Sequence, residues 1–168
     1  MKKIAILLNF LLIFGVFFGA AAQNTMPVME GTDVKAIAKK GKEFGLSEAF
    51  GDEDFGHGTK MKSLTNDSYT LMIDIIYSSR SGEILCANVI TSPLASASLQ
   101  RDFILGMADV LCPPNDVGEV EKWINKNIGK EISEEINGFD YALSLGPKNN
   151  LLYDVGMSGW EEWDMSLN

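Results

Sequence analysis

The sequence predicts an α+β domain: a four-stranded, mostly antiparallel sheet made of two β-hairpins, with helices packed on one face, in the order α-ββ-αα-ββ. Three observations predict it. Two pairs of alternating apolar runs are each joined by a short polar turn, three stretches repeat apolar residues at helical spacing between capping and stopping residues, and 168 residues suffice for one sizeable core.

The first helix is expected over Asp33 to Phe44. Thr32 offers a cap, Val34, Ile37, Ala38, Gly41 and Phe44 recur at helical spacing, and Gly45 stops the turn. Lys35, Lys39, Lys40 and Lys42 fall on its solvent face. The stretch from Leu46 to Asp67 has no sustained periodicity and reads as a long irregular connection. Tyr69 to Tyr77 then alternates, Ser78 to Gly82 supplies a turn, and Glu83 to Thr91 returns as a second strand. In that second strand Leu85, Ala87 and Val89 compete with Ile84, Cys86 and Ile90 for the core side, so its orientation stays open.

Ser98 can cap the next helix, with Phe103, Ile104, Met107, Ala108 and Leu111 inward, and Pro113-Pro114 ends it. Asp116 with Glu119 has capping-box spacing and opens a third helix that buries Val120, Trp123 and Ile124 and stops at Gly129. Residues 139 to 145 and 151 to 157 alternate on either side of a Gly-Pro-Lys-Asn-Asn turn and form the second hairpin.

The N-terminus has the layout of a secretory signal. Lys2 and Lys3 are followed by an apolar run from Ile4 to Phe18 and by Ala20-Ala21-Ala22, which places cleavage after Ala22. The Lys-Lys start and the Ala-Gln junction resemble a bacterial export signal of the general secretion type, a resemblance covering residues 1–22 alone. It implies export to the periplasm or the exterior, with no membrane anchor after cleavage. Residues 23–31 are expected as a flexible lead and residues 32–168 as a single domain. In an oxidising compartment Cys86 and Cys112, the only thiols, are expected to pair as a disulfide.

Charge narrows the partners. With 14 Lys+Arg against 23 Asp+Glu the formal net charge is -9, the wrong sign for gripping phosphate backbones, so nucleic acid is excluded as a partner. On the sheet face away from the aromatic-rich set, Met72, Asp74 and Ile76 of one hairpin join Asp140, Leu152 and Asp154 of the other. Three carboxylates among apolar residues suit a cationic or amphipathic protein, peptide or small ligand, or a second copy of the chain. Trp160 and Trp163 in the acidic tail are a further ligand-facing pair, since tryptophan is favoured at interfaces.

Motifs of catalysis are missing. There is no phosphate-cradling glycine loop, no H-E-x-x-H and no CxxC pair, and Gly156-Met157-Ser158-Gly159 falls one residue short of a nucleophile elbow. Asp52, Glu53, Asp54 and His57, in the 51–58 segment, carry oxygen and imidazole ligands for a metal, although Gly56 and His57 stand where a calcium loop requires a third acid or amide and then glycine. The leading expectation is therefore an exported, acidic, non-enzymatic binding domain without a cofactor. The alternatives are a carboxylate- or metal-dependent hydrolase centred on the 51–58 segment and a structural subunit of an envelope assembly.

Overall fold

A computed structural model describes residues 28–157. The export segment, the start of the lead and the tail with Trp160 and Trp163 lie outside the described residues. Among the described residues are three helices, α1 (Val34–Glu43), α2 (Ala97–Ala108) and α3 (Val117–Asn127), and one seven-stranded antiparallel sheet. Its strands are β1 (Ser47–Gly56), β2 (Thr59–Thr65), β3 (Leu71–Ser78), β4 (Ile84–Thr91), β5 (Ile132–Ile136), β6 (Phe139–Leu145) and β7 (Leu151–Met157), in the spatial order β1-β2-β3-β4-β7-β6-β5. The expected four-stranded sheet is thus corrected to seven strands, within an α+β domain.

Two of the three added strands, β1 and β5, are mostly exposed, while β2 is partly buried between β1 and β3. β1 and β2 form a hairpin where an irregular connection was expected, and β1 is exposed along nearly its whole length, so no hydrophobic alternation marks it. Its turn is made by His57 and Gly58, both at positive φ (50° and 79°), the left-handed geometry that matches strand twist in a two-residue hairpin. β5 is an acidic edge whose first four residues are exposed. It joins β6 through Asn137-Gly138, again with both φ positive (53° and 85°).

α1 and α2 begin where short polar side chains satisfy their open amides, one residue away from the expected cap in α1 and two in α2. Asp33 rather than Thr32 caps α1, accepting from Lys35 N at 2.9 Å, while the Thr32 hydroxyl donates to the Met29 carbonyl. Ser96 rather than Ser98 caps α2, accepting from Leu99 N. Asp116 precedes α3 without a side-chain cap bond and instead accepts from Asn137 Nδ2 at 2.8 Å. The end of the lead is tied down: Met29 is fully buried and its N–H donates to the Ile84 carbonyl.

One apolar cluster fills the space between the helices and one face of the sheet. Leu71, Ile73, Ile75 and Tyr77 of β3 and Tyr153 and Val155 of β7 meet Ile37 of α1, Phe103, Ile104 and Met107 of α2, and Val120 and Ile124 of α3. After β4 the chain crosses through α2 and α3 to the far edge and returns, so that β7, the last strand among the described residues, pairs with β4 inside the sheet. Gln100 of α2 fixes this return: its Oε1 accepts from Thr91 Oγ1 and from Leu151 N, both at 2.9 Å. No helix among the described residues is long and apolar enough to cross a membrane.

The cysteine pairing is corrected as well. Cys86 and Cys112 are both buried but no disulfide joins them. Cys112 follows α2 within the helix-side core, whereas Cys86 belongs to a second, smaller cluster with Ile76 and Leu85 on the opposite face, so the sheet stands between the sulfurs. The purified protein is expected to titrate two thiols with a chromogenic disulfide in denaturant without prior reduction. A mass that rises by about two hydrogens on reduction would contradict the geometry.

Candidate functional site

The strand register of the face opposite the helices assembles the candidate site. Ser63, Asp74, Asn88, Asp154 and Ala142 are successive partners on β2, β3, β4, β7 and β6, forming one transverse row. Neighbouring Cβ atoms in such a row are about 5 Å apart. Met61, Ile76, Cys86, Gly156 and Asp140 make the row on one side, and Thr65, Met72, Ile90, Leu152 and Ser144 make the row on the other. A polar stripe therefore runs between two mainly apolar ones. None of these residues is basic.

The six sheet residues singled out from the sequence, Met72, Asp74, Ile76, Asp140, Leu152 and Asp154, do share this face. Its centre differs from expectation in being buried: Asp74, Asn88 and Asp154 are 3%, 9% and 2% exposed. Met72, Ile90, Leu152 and Asp140 are half-buried around them. Sequence reasoning missed Asn88, because a bulge in β4 breaks its alternation. Tyr77 pairs with Ile84 but Ile76 pairs with Cys86, so Leu85 is extra and both competing apolar sets are partly right.

Burial sets the chemistry of the row. Ser63 Oγ donates to Asp74 Oδ1, and Asp74 is nonetheless pushed upward in pKa because desolvation outweighs that bond. Asp154 has no such help, and burial alone raises its carboxyl to about 7. Asn88 Oδ1, Asp154 Oδ2 and Ser144 Oγ are buried without a hydrogen-bond partner. Unmade bonds of this kind cost about 1–3 kcal/mol each and are concentrated at sites with another use.

Trp123 Nε1, Tyr141 OH and Tyr153 OH are also unpartnered, in the helix-side core. The two sets differ in kind. The indole N–H donates and the phenol groups both donate and accept, with the two tyrosine rings stacked at 6.5 Å. On the sheet face, by contrast, Asn88 Oδ1 and an ionised Asp154 Oδ2 are acceptors only, and neither can satisfy the other. A donor between these two acceptors can come from the Asp154 proton, from the Asn88 NH2 group once its amide turns over, or from a ligand.

The other places are weaker. Asp52 is committed to Lys62 Nζ at 2.8 Å, which holds its carboxyl below the usual range, and Asp54 Oδ1 accepts from Gly56 N at 2.9 Å. His57 sits in the β1–β2 turn. These residues are not brought to one point, and among the described residues no three His, Cys, Asp or Glu side chains are grouped to hold a metal. A cleft of about 390 Å³ opens on the helix side, lined by Asp33, Lys35, Asp52, Lys62, Tyr77 and Arg80. Its best-placed acid and base already neutralise each other. Cys112 is no nucleophile: burial and nearby Asp116 and Asp109 push its thiol to about 12.

No known protein family, curated protein or solved structure to which the chain was compared matches it.

Proposed function

We propose that the protein is an exported, non-enzymatic binding domain that takes its ligand on the sheet face opposite the helices, over β3, β4 and β7. One observation carries this reading: two buried acceptors, Asn88 Oδ1 and Asp154 Oδ2, are left without donors on neighbouring strands. A fold that needed this face only as a floor would fill those positions with the Val and Ile found on the helix side, at no desolvation cost. The half-buried Met72, Ile90 and Leu152 add apolar contact along one flank, as in small-molecule sites, where few polar groups are set in an apolar lining.

The reading is tested by screening a fragment library against the isotope-labelled full chain and following backbone amide shifts. Hits are expected to move the amides of residues 72–76, 86–90 and 152–156 together. Hits confined to the helix-side cleft, or no shifts in those three segments, would overturn it.

A further inference from the structure

We propose that the ligand of this face is a small amphipathic amine, whose ammonium group lies between Asn88 and Asp154 in place of the carboxyl proton and whose apolar arm lies along Met72, Ile90 and Leu152. The inference rests on the binding reading above and names the ligand's chemistry.

Charge complementarity selects a cation. The polar row and its two flanking rows hold Asp74, Asp140 and Asp154 and no lysine, arginine or histidine. The remaining groups that face Asp154 across the strands are the Asn88 amide on β4 and Ala142 on β6, with Asp74 and its Ser63 partner beyond Asn88 and the Cys86 thiol one row away. Val28 packs against Ile76, Leu85 and Cys86 on this face and is also uncharged. Nothing basic among them competes for the two acceptors.

Donor chemistry favours an ammonium over a guanidinium. The unpartnered acceptors belong to two buried residues on adjacent strands rather than to both oxygens of one carboxylate, so the two-oxygen pairing that a planar fork makes with a carboxylate is not on offer. An ammonium is a compact charge whose three rotatable donors can be divided between two separate acceptors. The flanking row lies two residues along each strand, roughly 7 Å away, within reach of a short hydrocarbon chain attached to that head. An arm following this row replaces contacts with water by contacts with Met72, Ile90 and Leu152.

Because the ammonium and the proton compete for Asp154, binding is coupled to pH. The carboxyl titrates at about 7 in the folded protein, while a simple alkylammonium stays charged throughout this range. Apparent affinity is then expected to fall about tenfold from pH 8 to pH 6.

The experiment uses the full chain and three probes of one length: hexylammonium, hexanol and hexanoate. Amide shifts at residues 86–90 and 152–156 are titrated at pH 8 and at pH 6. The expected result is saturable binding of hexylammonium at least about tenfold tighter than hexanol, no binding of hexanoate, and the stated pH dependence. Asp154→Asn is expected to remove both the preference for the amine and the pH dependence, while its circular dichroism stays that of the unaltered chain. Hexanol binding at these segments as tightly as hexylammonium would overturn the amine but leave the binding face standing. No shift there with any probe overturns both. The comparison of amine with alcohol needs no variant, so it remains decisive even if Asp154→Asn fails to fold.

Discussion

Asp154→Asn is expected to abolish most of the pH dependence of stability between pH 4 and pH 7. Asp154 titrates at about 7 when folded, against 3.8 for an unhindered aspartate. As pH rises through the lower value the unfolded chain loses its proton first, so over this window the folded state holds more protons than the unfolded state. Stability therefore falls with rising pH and levels off above about 7, the total loss being on the order of 4 kcal/mol. Asp74, also raised by burial, adds a slope of the same sign. In the asparagine variant the Asp154 part is gone, and the gain over the unaltered protein is largest above pH 7. Urea midpoints at pH 5 and pH 8 measure it. Equal midpoint shifts in the two proteins would show that Asp154 ionises as freely in the fold as outside it.

Phe103→Ala is expected to cost about 3–5 kcal/mol. Phe103 is fully buried on α2 and meets the Phe44 ring edge-on, with centroids 5.2 Å apart at 68°. The site cannot collapse easily around the void. Phe44 is seated there because Gly106, one turn along α2, leaves room for it: a Cβ on Gly106 would lie 2.7 Å from Phe44 Cζ. Removing Phe103 leaves Phe44 without its ring partner and unpins α1 from α2. Denaturation of the variant beside Leu94→Ala, a control at a position 85% exposed, separates this from a general loss. A cost below about 1 kcal/mol would mean that α1 and α2 are not clamped through these rings.

What the sequence revealed follows what it buried. The helices and the inner strands β3, β4, β6 and β7 were legible because each sets a run of apolar residues against one core, with turns of Ser, Gly, Pro and Asn between them. β1 and β5 were not, since an edge strand that shows charge to water, Glu48, Asp52, Glu53 and Asp54 in one case and Glu134 and Glu135 in the other, lacks the alternation on which a strand assignment depends, and β2 was not because its two apolar residues, Met61 and Leu64, fall on opposite faces. The Asn137-Gly138 turn was the available signal for β5. The disulfide expectation failed because pairing by count carries no information about which side of a sheet each thiol occupies. For the site, Asp74 and Asp154 could be placed on one face from alternation alone. Their alignment with Asn88 required the register across three strands and the bulge at Leu85, which depend on partners distant in sequence.

The placement of β7 bears on how the chain is made. Strands are synthesised in sequence order, yet the last of the described ones fills an interior position, between β4 and β6. Before it emerges, β4 and β6 present raw edges to each other's gap, Gln100 lacks the Leu151 amide it grips, and Asn88 has no Asp154 beside it. A nascent chain is then a four-strand meander followed by helices with half a floor, and closing the sheet joins segments roughly 60 residues apart, a slow step for a fold of this kind. A message truncated before residue 151 yields a chain that cannot close this sheet.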